Sequence, residues 1–177
     1  MAEHVMLDLE TFGTGNKAVI VSIGAVKFAL DGTGVHNSFH VGVDPESCVR
    51  HGLEMDASTV MWWLDNGRDD ARRALLDMDR LDLPTALEGF SMWFGPDSLP
   101  VWGSGASFDN VLLRSAYKAT GQDCPWKFWD DRCYRTVKNL LPQVGLLRTG
   151  THHSALDDAL DQTRHLLKLL SVMGLPK

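Results

Sequence analysis

The run Val5-Met6-Leu7-Asp8-Leu9-Glu10-Thr11 is apolar except for two carboxylates set two residues apart, and that pair limits what the chain can become. In a β-strand successive side chains point to opposite faces, so Asp8 and Glu10 share one face while Leu7 and Leu9 pack the other. Two carboxylates side by side repel and cost stability unless a cation lies between them. Clustered oxygens with room for water are what magnesium or manganese prefers. A bare D-x-E is also an ordinary solvated strand end, so the pair signifies chemistry only if further acids converge on it.

Further acids stand at the mouths of two helices. Leu99 to Trp102 reads as a short strand, the glycines that follow as a turn, and Ser107 as the N-cap of a helix with Asp109 in its first turn. Thr151-His152-His153-Ser154-Ala155-Leu156-Asp157-Asp158 repeats the design, with Ser154 and Asp157 in capping-box-like spacing and Asp158 one residue further in. Capping and the helix dipole account for each acid singly. Together with Asp8, Glu10 and a histidine they form the inventory of a two-metal phosphodiester-cleaving site. One ambiguity is internal, because His152 to Asp157 has the same spacing as His153 to Asp158. On a helical wheel Asp158 lies nearer the apolar stripe Leu156, Ala159, Leu160, Thr163, Leu166, Leu167, Leu170 than Asp157 or Asp161, which read as solvated. The loop before the helix can present either histidine ring.

These motifs resemble those of the DEDDh (DnaQ-like) 3′→5′ exonucleases: Asp8-Leu9-Glu10-Thr11, then Ser107-Phe108-Asp109-Asn110, then His153 with Asp158-Ala159. Their order and spread match over essentially the whole chain. Trp102-Gly103-Ser104-Gly105 and the tandem Trp62-Trp63 look most like the small phage and mycobacterial branch labelled exoribonuclease-like. The resemblance implies an α/β, ribonuclease-H-like mixed five-stranded sheet flanked by helices. It implies Asp8, Glu10, Asp109 and Asp158 as ligands of two Mg2+ or Mn2+ ions, with His153 as general base. Leu9, Thr11 and Phe108 are then expected beside the terminal nucleotide. The implied reaction releases nucleoside 5′-monophosphates from the 3′ ends of DNA or RNA. Action on RNA alone, and a nucleic-acid-binding module without catalysis, are the alternatives.

The remaining pattern fits that architecture. Val19 to Leu30 and Val35 to Val43 are β-rich runs around the hairpin signal Asp31-Gly32-Thr33-Gly34, and with the first strand they predict an antiparallel unit. Helices are predicted after Asp56, over Asp70 to Met78, from Pro84 through Phe94, near Thr136 to Leu141, and at the end. In the first of these, Trp63 falls on the apolar stripe with Val60 and Leu64, which leaves Trp62 as the candidate for stacking on a base.

Composition adds bounds. A chain of 177 residues with 44% hydrophobic content can bury one proper core, so residues 1–177 are expected to form a single domain. Three cysteines without C-x-x-C spacing argue against a disulfide framework or a zinc site and fit a reducing cytoplasm. No apolar run is long enough for a membrane span and the start shows no signal-peptide pattern. The formal charge of −6 is unevenly spread: between Asn110 and Gly150 seven basic residues, among them Arg114, Arg135 and Arg148, stand against three acids. That strip offers phosphate a landing place. Whether the chain forms a homodimer stays open.

Overall fold

Alternation along β1 (Glu3–Thr11) sends Val5, Leu7 and Leu9 into one hydrophobic layer and Met6 into another. The computed structural model describes residues 3–31, 34–65 and 69–174. In it β1 lies inside a six-stranded sheet of order β4-β3-β2-β1-β5-β6. β2 (Ile20–Ala29) and β3 (Gly34–Val43) form the expected antiparallel unit with β1, although Gly32 and Thr33 of the hairpin signal lie outside the described residues. β5 (Val101–Gly103) runs parallel to β1, β6 (Asp131–Cys133) parallel to β5, and β4 (Arg80–Leu81) parallel to β3. The sheet therefore has six strands where five were expected. The edge strands span only two and three residues, too short to show a period of two.

Helices cover both faces. α4 (Leu83–Phe94) and α5 (Asp109–Thr120) pack Leu87, Phe90, Leu113 and Tyr117 over the layer of Val5, Leu7 and Leu9. α7 (Ala155–Val172) lays Ala159, Leu166 and Leu169 over Met6, Val26 and Phe28. The smaller helices are α1 (Pro45–Arg50), α2 (Ala57–Leu64), α3 (Asp69–Leu76) and α6 (Tyr134–Leu140).

The helix starts near the acids differ from the sequence expectation in instructive ways. α5 begins at Asp109 with Phe108 as its N-cap and no side-chain cap bond, because a backbone turn from Phe108 N to Gly105 O (2.7 Å) occupies the residues before it. Ser107 is therefore not the cap. α7 does start after Ser154, yet Asp157 makes no capping box; its carboxylate accepts from Thr151 N at 2.9 Å. Asp56 stands at the N-cap of α2, but its carboxylate accepts from Thr14 N at 2.7 Å and so ties α2 to the loop after β1.

Gly24 sets how closely α7 can approach. It pairs with Asp8 across the sheet, and a Cβ there would lie 2.2 Å from the carbonyl carbon of Ala155 and 2.3 Å from Leu156 N. The absence of a side chain lets the first turn of α7 rest directly on the strand, which brings Asp158 to β1. Gly24→Ala should therefore lower stability by at least about 1–3 kcal/mol, the usual cost of overpacking. Gly89→Ala is the control: its nearest neighbour would be Phe39 at 3.8 Å, and within α4 the change should be neutral or stabilising by up to about 1 kcal/mol. Urea titrations of the two variants read the difference.

Candidate active site

One strand and two helix starts deliver the acids to one place. Asp8 and Glu10 lie at the carboxyl end of β1, on the face that α7 covers, where the apolar layer of Met6 and Val26 gives way to carboxylates. Asp158, one turn into α7, completes a group: ligand oxygens of Asp8, Glu10 and Asp158 all lie within 4.8 Å of one another. Asp109 opens α5 just past β5, and its charge bears on both Asp8 and Glu10. That approach depends on Gly103, where a Cβ would sit 2.3 Å from Asn110 Oδ1 and 3.2 Å from Asp109 Oδ2. Asn110 in turn donates to Val101 O (2.9 Å) and to Asp131 Oδ1 (3.0 Å), an oxygen that also accepts from Arg114 and Trp126. This half-buried hub fixes the start of α5 against β5 and β6.

The two possible frames of the third motif separate in space. Asp158 is 7% exposed and belongs to the carboxylate group, whereas Asp157 is half-buried and bonded to Thr151. Asp161 departs from its expected solvation: it is 2% exposed, accepts from Thr149 N (2.8 Å) and Thr149 Oγ1 (2.7 Å), and pairs with Arg164 at 3.1 Å. The segment before α7 folds back along that side of the helix, which a helical wheel cannot show. His153 adopts φ 65°, the left-handed region that a residue with a Cβ rarely enters, and its N–H donates to Asp158 Oδ2 at 3.1 Å. Its ring meets Trp62 edge-on at 4.8 Å and stacks on His152 at 3.7 Å.

Burial makes the site electrostatically expensive. The Asp8 carboxyl is held well above the usual carboxylate range by burial first, then by the charges of Asp109, Glu10 and Asp158, with a hydrogen bond from Gln162 Nε2 (2.8 Å) opposing. Glu10 is pushed up to about 8 by burial and then by Asp158 and Asp109. Asp109 is pushed up to about 7 by burial, partly offset by backbone N–H groups and by Arg135. Asp109 Oδ2 is buried with no hydrogen-bond partner. An orphaned carboxylate oxygen beside three crowded carboxylates is a donor set that fits a hard divalent cation.

Some counter-charge comes from the protein. Arg148 pairs with Asp158, and Arg135 donates to Ser104 O at 2.5 Å. With Arg114 paired to Asp131 at 2.6 Å, part of the basic strip expected to receive phosphate serves the fold instead. Gln162, Gly24 and the backbone of His153 were absent from the sequence reading, and Arg148 entered it only as part of the basic strip, not as the partner of Asp158. A glutamine on the buried side of the last helix, four residues beyond Asp158, was the available signal.

A cleft of about 390 Å³ opens beside the carboxylates. Leu9, Thr11, Trp62 and Phe108 line it, together with Glu10 and Ser58. Trp63 is 4% exposed and donates its Nε1 proton to Thr11 O at 2.9 Å, so it anchors α2 to β1, and Trp62 at 38% exposure faces the cleft.

The α/β fold of this chain is shared with solved exonucleases. The nuclease domain of 3′hExo, a DEDDh family member bound to rAMP, is 15% identical with a TM-score of 0.65, covering 99% of this chain and 94% of that one. E. coli Exonuclease I in complex with a dT13 oligonucleotide is 12% identical with a TM-score of 0.69, over 97% of this chain and 41% of that one. The Mg2+- and Mn2+-bound form of S. pombe Pop2p is 12% identical with a TM-score of 0.63, over 97% and 84%. No curated protein sequence matches. The 3′-5′ exoribonuclease Rv2179c-like domain matches residues 3–170, and the chain belongs to that family, a family of nucleases of mixed α/β, ribonuclease-H-like fold.

The raised carboxyls predict a pH-dependent stability. Glu10 and Asp109 hold protons in the fold up to about 8 and about 7, while unfolded carboxyls release them near about 4. Between those limits the folded state binds more protons, so metal-free stability should fall as pH rises from about 4 to about 8. Asp8→Asn should flatten that slope and leave the metal-free fold as stable or slightly more so, because its amide oxygen still accepts from Gln162. Urea midpoints in EDTA at pH 5 and pH 8 measure both effects.

Proposed function

We propose that this chain is a divalent-metal-dependent 3′→5′ exonuclease that hydrolyses the terminal phosphodiester of a strand and releases a nucleoside 5′-monophosphate. One observation carries the reading: Asp8, Glu10 and Asp158 are buried within 4.8 Å of one another beside the partnerless oxygen of Asp109, at the edge of a nucleotide-sized cleft. In this reading Asp8, Glu10 and Asp158 would hold one divalent ion, and Asp109 together with Asp8 would hold a second. Bound divalent ions supply Lewis-acid activation of water and neutralise charge that develops on the phosphate.

The chain's own groups do the rest. His153 takes the proton from the attacking water, the general-base task for which an imidazole is suited near neutral pH. Its contact with Trp62 and the Asp158 bond to its backbone hold the ring beside the carboxylates. Leu9, Thr11 and Phe108 form the walls that receive the last nucleotide, and Trp62 offers an aromatic face for its base. Because the pocket accepts an end, the bond broken is the one to the 3′ oxygen of the penultimate nucleotide. The family's description supports RNA 3′ ends as substrate. Single-stranded DNA is the second reading, supported by the likeness in fold to Exonuclease I with dT13.

Chelation by EDTA should abolish cleavage, and magnesium or manganese should restore it. With metal present, 5′-labelled RNA and DNA oligonucleotides should shorten stepwise from the 3′ end, while circular strands resist. Equal cutting of circles would mark an endonuclease and end the proposal.

The base is tested separately. His153→Ala should lower turnover by roughly 10² to 10⁴ with little change in oligonucleotide binding, since a general base acts on the transition state. His152→Ala should be mild. Asp158→Asn should remove metal-dependent activity where Asp157→Asn does not; the opposite pattern would shift the motif by one residue.

A further inference from the structure

A second group of metal-competent side chains adjoins the carboxylates. Ligand atoms of His152, His153 and Asp158 lie within 4.8 Å of one another, and the imidazole rings are stacked with 25° between their planes. The chemistry of this group differs from that of its neighbour. Asp8, Glu10 and Asp158 offer oxygen alone, which suits magnesium or manganese, whereas two imidazoles and a carboxylate suit zinc, cobalt or nickel. Asp158 belongs to both groups.

The backbone builds the pairing of the rings. Ser154 N closes a turn onto Thr151 O at 3.1 Å, and His153 inside it takes φ 65°. The turn sets two consecutive imidazoles side by side over the start of α7. His153 is half-buried against Trp62, while His152 is exposed. Two atoms that each lie about 2.0–2.2 Å from one ion are at most about 4.4 Å apart, so a modest rotation of the His152 ring closes the group. Asp158 retains lone pairs for an ion beside its bonds to Arg148 and the His153 N–H. The cysteine spacing that argues against a thiolate zinc site does not bear on these donors.

We propose that His152, His153 and Asp158 form a transition-metal site, selective for ions of the zinc class, whose occupation turns the nuclease off. An ion there takes the ring nitrogen with which His153 accepts a proton and an oxygen of Asp158 that the carboxylate group needs. Inhibition rests on the reaction proposed above; binding of the ion does not.

Cobalt serves as the spectroscopic probe. Titrated into the metal-free protein, it should give a visible ligand-field band in the wild type and in Asp8→Asn, and zinc should displace it. His152→Ala and His152→Gln should bind cobalt at least about tenfold more weakly, a loss that even outer partners of metal ligands produce when removed. Unchanged binding in both His152 variants, or binding lost in Asp8→Asn and kept in them, overturns the site. In the second arm, zinc added to magnesium-saturated enzyme should slow strand shortening, with His152→Ala needing at least about tenfold more zinc for the same effect. Equal zinc sensitivity overturns the switch. Cobalt bound through His152 by a protein that cleaves nothing supports the site and removes the nuclease reading instead.

Discussion

Mutual repulsion among buried carboxylates is the constraint on which the rest of this structure depends. Asp8, Glu10, Asp109 and Asp158 are each less than a tenth exposed, and no arrangement of four such charges is favourable by itself. The protein spends its packing on holding them there. Gly24 lets α7 touch the sheet, Gly103 lets α5 start against β5, and the Asp131 hub locks that start in place. Arg148 and Gln162 supply partial compensation, and the rest is met by protons or by cations.

That balance explains why the two faces of one strand are so different. Val5, Leu7 and Leu9 pack an ordinary core under α4 and α5, and this face carries the stability. The opposite face begins as core at Met6 and ends as a charged site at Glu10. The cleft lined by Leu9, Thr11, Trp62 and Phe108 lies where α2, fastened through Trp63 and Asp56, overhangs the end of that strand.

Much of this was legible in the residues, and the limits have physical causes. The period of two in Val5 to Glu10 and the recurrence of acids at helix starts predicted which groups would share a place, because both signals are local. The family resemblance is matched by the comparison over residues 3–170. Local reading failed where distant backbone intervened. Asp161 lies on the flank that the preceding segment covers, so it is buried under Thr149 although its wheel position faces outward. Ser107 lost its capping role to a backbone turn, and the two edge strands, two and three residues long, are too short to carry an alternating pattern of their own. Arg114 and Arg148 read as phosphate contacts from charge alone, and the partners that claim them, Asp131 and Asp158, are 17 and 10 residues away in sequence.

The central claim is that crowded, proton-bearing carboxylates are there to receive divalent cations. Calorimetric titration of the metal-free protein with Mn2+ at pH 7, repeated in two buffers of different ionisation enthalpy, tests it most directly, because ligands that hold protons must release them when metal binds. The account predicts saturable binding with proton release to the buffer, and loss of both in Asp8→Asn. Binding that releases no protons, or that survives unchanged in Asp8→Asn, would contradict it.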